Sequence, residues 1–567
     1  MKKLKTYKIM KMKKISILLF SVLVSIFLSN CNKKLTIDAD ITTNTTWTSN
    51  EIVTIGKSIY VSNGATLTIE PGTTIKFESG AGLYVEDGTL LAEGTSDKPI
   101  TFTSLAKTPA KGAWNGLSFS SQTLNNTSLK YCIIEYAGQQ ANSGAVYMAG
   151  CRIKMDYCKI NNAKYNGIYM IDDAKFVSFT NNEIKEVDNH AIVMDAKAIP
   201  TIGENNTLTT SGDYGVRING GNFGSRTFTW RKLTCPYIIN SGIYIDENAN
   251  VTIQPGTVIK FAAASWISVG YSTNGTLTAE GTSSEPITFT SSATSPASGA
   301  WEGLLFYSFS TNSSLKYCNI SYAGGTSYKA SVYIYGSKIT MENCNVTNSA
   351  NYGVKCLDPN SGFISFTNNN FSNIEDHVVR IQAEQVHTLG TGNTFNASTD
   401  KGIEIYAGEY NSTTNKTWLK HNVPYYVTAS IDFVGSITFE AGSVYKCGAG
   451  VWLSFGWSSN INATIVGTST NRIVFTSSAS SPAAGSWGGL YFYYHTTSNT
   501  NLNYVDIKYA GYNEYGSVLV SSNVALHASN VDIQYSESCG FYLYNGATLV
   551  GSGNTFSNNG GDGVCNE

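Results

Sequence analysis

"CNVTNSANYGVKC" (344–356), "NNFSNIEDHVVRI" (369–381) and "NTFNASTDKGIEI" (393–405) follow one another at offsets of 25 and 24 residues. Laid over each other, they align Val346 with Phe371 and Phe395, and Val354 with Val379 and Ile403. Earlier in the chain Ile160, Ile184 and Leu208 recur at the same step, as do Ile168, Ile192 and Val216. Apolar and polar residues alternate within each run, the period of a strand with one buried face. A period near 24, with short strands and Asn or Gly at the corners, describes one turn of a β-solenoid. Each residue then rests on its counterpart one coil below, so a column must keep its residue class. Tandem β-sandwiches of about 93 residues would also give the long repeat described next, but their strands differ in role and leave no such column.

The long repeat begins with "TIEPGTTIKF" (68–77), which returns as "TIQPGTVIKF" (252–261) and "TFEAGSVYKC" (438–447). "FTSLAKTPAKGAWNGLSF" (102–119) likewise recurs at 289–306 and 475–492, placing Trp114, Trp301 and Trp487 at intervals of 187 and 186. "SLKYCIIEYAG" (128–138) recurs at 314–324 and 501–511. Each unit opens near a tryptophan, Trp47, Trp230 or Trp418, and the third is the shortest. Within the decapeptide, Leu67 and Ile69 read as inward on one strand and Ile75 and Phe77 on the next. Pro71-Gly72 makes the corner between them.

On "ATLTIEPGTTIKF", "GTLLAEGTSDKPITFTS" and a W-x-G-L pattern, the chain resembles the right-handed parallel β-helix proteins of the pectin-lyase-like superfamily, in particular large bacterial surface proteins. The resemblance spans roughly residues 46–567. It implies an all-β parallel β-helix (β-solenoid) of about twenty coils, about seven per long unit. At roughly 4.8 Å per coil that is a rod near 100 Å long. The long units divide at 46–228, 229–415 and 416–567.

The first thirty residues differ in kind. "MKKLKTYKIMKMKK" is basic, and "ISILLFSVLVSIFL" (15–28) is an apolar run that is short for a membrane span and suited to a signal peptide. "LSNC" follows and resembles the bacterial lipobox. The resemblance implies a signal peptide over 1–30, lipidation of Cys31, a tether over 31–45, and an outer-membrane lipoprotein at the cell surface or periplasmic face. An ordinary secretory signal with an incidental cysteine is the competing reading. Removing the seven Lys of residues 1–30 leaves 31 basic and 40 acidic residues, a net charge of −9. A mildly acidic, charge-poor chain argues against nucleic acid and against electrostatic docking on anionic lipid. The lipid would be the membrane attachment.

Cysteines, histidines and aromatics are the candidates for chemistry. Cys132 and Cys158 are 26 apart in matching positions, as are Cys318 and Cys344. The third unit puts Val505 and Val531 there, and the columns continue with Asn182, Asn206, Asn369 and Asn393. That reads as a stack of small residues at a bend with an asparagine ladder; stacked disulfides and a metal site are the alternatives. His190 and His377 lie 187 apart with acids nearby, as an acid/base pair could, or as residues at a surface corner. Lys355, Arg380 and Glu404 share an outward column, readable as a solvated charge ladder.

Enzymes of the resembled superfamily carry either several Asp with a Gly-His-Gly motif or acidic calcium ligands with an Arg or Lys base. Gly-His does not occur here, and the only adjacent Asp pair is Asp172-Asp173. No cofactor or metal is expected, and calcium enters only on a lyase reading. The remaining signal is outward aromatic residues: Trp266 and Trp452 in equivalent positions, Tyr307, and Tyr491 and Tyr493 around Phe492, with Leu305 also outward. The first unit has Gly82, Ser118 and Ser120 there and lacks the feature. Aromatic faces on a rigid sheet suit stacking on sugar rings or holding a protein partner. The long units are near copies with no charged cluster peculiar to one of them, which favours non-catalytic glycan binding or adhesion. The alternative is a polysaccharide lyase or glycoside hydrolase acting on an extracellular acidic polysaccharide.

Overall fold

The computed structural model describes residues 33–567 apart from 142, 213, 398–400 and 513–514. Cys31 and the expected signal segment lie outside the described residues. Two short 3-10 helices, Ala196–Thr201 and Ala383–Thr388, interrupt an otherwise all-strand architecture. The chain divides into two compact units, one reaching to Arg217 together with Leu233–Cys235, the other comprising Ile218–Lys232 and Pro236–Glu567. Between them they hold about 21 stacked coils.

In the first unit successive strands fall on three parallel sheets in turn. Thr66–Ile69, Thr74–Phe77 and Gly82–Val85 make one coil. Thr89–Glu93, Ile100–Ser104 and Gly116–Phe119 make the next and pair with them in register. Stacking in register forces like onto like. Val53, Ile75, Phe102, Ile134, Ile160, Ile184 and Leu208 form one column, and all seven are fully buried. Each such side chain contributes about 1.5–3 kcal/mol by leaving water. The columns expected from the 24-residue period are present: Ile168 pairs with Ile192, Val346 with Phe371 and then Phe395, and Val354 with Val379 and then Ile403.

The corners follow from the same residues. Gly72, Gly256 and Gly442 have φ of 90°, 74° and 81°, a region L side chains resist, and each sits in a turn closed by a bond to the carbonyl of Glu70, Gln254 or Glu440. The third copy replaces Pro71 with Ala441 and keeps the glycine, because φ is the stricter demand. The asparagine ladder is also present. The Cys158 N–H donates to Asn182 Oδ1 at 2.8 Å and the Asn182 N–H to Asn206 Oδ1 at 3.0 Å. Cys344, Asn369 and Asn393 repeat the pattern at 2.9 and 3.0 Å. Cys132, Cys158, Cys318 and Cys344 are buried free thiols, and burial pushes Cys132 and Cys318 well up from the ordinary thiol range. Among the described residues the one disulfide is Cys539–Cys565, in the last coils and outside the Cys132/Cys158 and Cys318/Cys344 columns.

The second unit shows how closely the long repeat matches the expected seven coils. Val258–Phe261 stacks between Tyr237–Ile239 and Ile287–Ser291. Its sequence equivalent, Val444–Cys447, stacks instead on Tyr425–Val427, in the sheet that also holds Trp266–Val269 and Ile403–Ile405. The long period is therefore not seven whole coils; it carries an extra third of a turn. Equivalent strands of the second and third long units look out from different sheets.

Candidate functional site

Strand Trp452–Phe455 lies between the start of Ile431–Phe439 and Gly489–Phe492. Inward Leu453 and Phe455 anchor it in the core. Alternation turns Trp452 and Ser454 outward, beside Asp432 on one coil and Tyr491 on the next. These residues, with Trp457, Tyr493, Tyr512 and Tyr515, line a cavity of about 380 Å³. Trp452 and Tyr491 stack with planes 10° apart, and Trp457 meets Tyr493 edge-on at 4.6 Å. Asp432 is the only carboxylate in the lining. The Ser454 hydroxyl donates to its Oδ1, and burial raises its pKa.

Three of the expected residues, Trp452, Tyr491 and Tyr493, thus come together. Sequence reasoning missed Asp432, Trp457, Tyr512 and Tyr515. Trp457 was within reach, because Tyr271 holds its place in the previous long unit. Tyr491 is only 8 % exposed and serves as wall more than platform.

Trp266 and Tyr307 stand apart from this cavity. Their sheet runs on through Tyr352–Cys356 and Val379–Ile381, whereas the sheet of Trp452 runs through Gly489–Phe492 and Val518–Val520. Around them the face is partly covered. Glu302 accepts backbone N–H groups of Ser327 and Tyr328 at 3.0 and 3.4 Å, holding the Tyr328 ring edge-on to Trp266 and Tyr333. Leu305, expected outward and accessible, is fully buried. Gly488 stands in the place of Glu302 in the third long unit.

The charged column is more built than a solvated ladder. Tyr333, Lys355, Arg380, Glu404, Tyr426 and Lys446 stand side by side on successive coils. Glu404 is 7 % exposed, 3.6 Å from Arg380, and accepts from the Thr428 hydroxyl at 3.1 Å. Arg380 donates to the Tyr352 hydroxyl at 2.9 Å and lies 4.4 Å over the Tyr406 ring. Lys355 forms no ion pair among the described residues, and burial lowers its pKa. Beside it, Asp376 binds both His377 at 3.0 Å and Lys401 at 2.8 Å, which holds its carboxyl well below the usual range. His377 Nε2 is buried without a partner. The expectation that no charged cluster is peculiar to one long unit is corrected.

His190, in the first unit, has a different setting. Its Nδ1 lies 2.6 Å from the Tyr214 carbonyl and burial lowers its pKa, while the nearby Asp188 is taken by Lys111 at 2.6 Å. No acid/base pair forms there.

Among the described residues no group of three or more His, Cys, Asp or Glu side chains gathers to hold a metal ion, and no helix is long and apolar enough to cross a membrane. The calcium that a lyase reading implies does not fit the charged column: Asp376 is held by His377 and Lys401, Glu404 lies beside Arg380, and two such carboxylates fall short of the roughly six to eight oxygens calcium takes.

A family model described as a pectate-lyase like beta helix domain matches residues 39–169 and 224–413, more than half of the chain. No curated protein matches. Among solved structures, the Streptococcus pneumoniae surface protein and adhesin PfbA is similar at 11 % identity over 94 % of this chain and 90 % of its own. Its TM-score of 0.08 carries no argument.

Proposed function

The chain belongs to the pectate-lyase-like β-helix family, and from that premise we propose a lipid-anchored cell-surface protein that binds extracellular glycan without cleaving it. The cavity at Trp452 carries this reading. Stacked rings offer flat apolar faces to the C–H groups of a sugar, and Asp432 Oδ2 is free to accept from a sugar hydroxyl. Hydrolysis of a glycosidic bond ordinarily requires two carboxylates flanking it, and the cavity has one. The membrane attachment rests on "LSNC" and Cys31 alone. A glycan array run with wild-type protein and with Trp452→Ala/Trp457→Ala tests the binding: loss of the bound glycans in the double variant is expected, and unchanged binding would remove the cavity from the function.

The column at Arg380 favours a second reading, a lyase acting on an acidic polysaccharide. The Arg380 guanidinium binds the uronate carboxylate, and the Lys355 amine takes the proton from the carbon next to that carboxylate. The C–O bond one carbon further breaks, and the Tyr352 hydroxyl, whose pKa burial pushes up to about 12, returns a proton to the departing oxygen. Incubation with acidic polysaccharides, followed by ultraviolet absorbance of the conjugated product, tests it. Steady product that disappears in Lys355→Met would establish the lyase, and absence of product from every substrate would leave the binding reading alone.

A further inference from the structure

The first unit has its own site, in a place the sequence comparison marks as featureless. An outward ladder of tyrosines runs up one sheet: Tyr60 beside Tyr84, then Ser118, then Tyr147 beside Tyr169. Tyr60 and Tyr84 stack at 5.1 Å, and Tyr147 and Tyr169 at 6.1 Å with planes 6° apart. Ser118 is the one rung without a ring. Two rungs of about 4.8 Å separate Tyr84 from Tyr147, so a ring placed over Ser118 would lie roughly 4.5–5 Å from each, inside the usual stacking range. The gap is a cavity of about 290 Å³.

The walls supply what a sugar needs besides two flat faces. Asn115, Gln140 and Ser143 line the gap with Ser118, and none of the lining residues carries a carboxylate or a cation. Asn115 Nδ2 is committed to the Gly80 carbonyl at 2.7 Å and to the Tyr84 hydroxyl at 3.3 Å, which fixes the amide and leaves its Oδ1 free. The hydroxyls of Ser118, Ser143 and Tyr147 and the Gln140 amide make no hydrogen bond within the described protein. Each tyrosine of the gap is backed on its far side by another ring, so neither has to be ordered on binding.

We infer that Tyr84 and Tyr147 form a sandwich site for one uncharged pyranose ring of an oligosaccharide, with Ser118 as its floor. This site does not rest on the cavity at Trp452, because it lies in the other unit and shares no residue with it. A charged sugar is disfavoured, since its carboxylate would find no cation among the lining residues.

The test is calorimetric titration of the full chain carrying Trp452→Ala/Trp457→Ala with cellohexaose, xylohexaose and mannohexaose. At least one is expected to bind. Ser118→Tyr fills the missing rung with the residue its neighbours already are; it is expected to leave thermal melting unchanged or raised and to weaken binding at least tenfold. Tyr84→Ala and Tyr147→Ala should each weaken it by about as much. Equal binding by Ser118→Tyr and its parent would overturn the site, as would failure of all three probes to bind the parent. A probe bound by wild type and by Ser118→Tyr alike, but lost on Trp452→Ala/Trp457→Ala, would uphold the other cavity and sink this one.

Discussion

Trp452 and Tyr491 stand on adjacent coils with ring centroids 6.4 Å apart and planes 10° apart, one 44 % exposed and the other 8 %. The pair divides labour: Tyr491 is packed into the wall and Trp452 offers its face. Trp452→Ala is therefore expected to leave the melting temperature within a degree or so while weakening a stacked sugar by about 1 kcal/mol, roughly fivefold. Tyr491→Ala should lower both. Calorimetry and thermal melting on the two variants separate the roles, and equal effects on melting would contradict them.

Buried tryptophans brace the fold at the W-x-G-L motif. Trp114 stacks on Phe77 at 4.0 Å and Trp301 on Phe261 at 3.9 Å, each indole N–H donating to a backbone carbonyl at 2.8 Å. Cys447 takes the phenylalanine's place in the third unit, and among the described residues no ring stacks on Trp487. Trp301→Ala should cost about 3–5 kcal/mol, and Trp487→Ala measurably less. Denaturant midpoints for the two would decide, with the reverse order contradicting the stacking account.

His421 lends the fold a pH dependence. It packs edge-on against Phe395 at 5.3 Å, its Nε2 has no partner, and burial pushes its pKa down to about 4. The unfolded chain, with a histidine pKa near ~6.5, takes up a proton that the folded chain refuses. This contribution is complete above about pH 6.5 and is lost as pH falls toward 4, on the order of 3 kcal/mol in all. His421→Phe should flatten stability between those values. A slope identical to wild type across that window would show that another group governs it.

The Cys539–Cys565 bridge closes a 26-residue separation at the last coils. Its removal by Cys565→Ser is expected to cost on the order of 3 kcal/mol, felt locally. Hydrogen exchange should accelerate in Phe541–Leu543 and Val564–Asn566 and stay unchanged in Gly116–Phe119. Uniform acceleration, or none, would contradict a local clasp.

Much of this was legible in the residues. Columns such as Ile160, Ile184 and Leu208 follow from stacking alone, because a coil can rest only on a coil of the same in-and-out pattern. Cys344 over Asn369 over Asn393 was legible for the same reason. The sites were legible only in part. Trp452, Tyr491 and Tyr493 alternate outward on their strands and were found that way, while Asp432, Tyr512 and Tyr515 reach the cavity from neighbouring coils and loops. Leu305 has the outward parity of Tyr491 and is nonetheless buried, where Glu302 pins the loop that carries Tyr328.

By itself the sequence determined that the chain is a stack of parallel coils, which residues face inward, and where the corners fall. These are relations between a residue and its counterpart about 24 positions away, and periodicity records them directly. The tertiary structure alone decided which sheet the second and third long copies present. All three sheets share one alternation, so the extra third of a turn in the long repeat leaves no mark on the residue pattern. It sets Trp266 and Trp452 on different faces and brings Lys446 into line with Glu404.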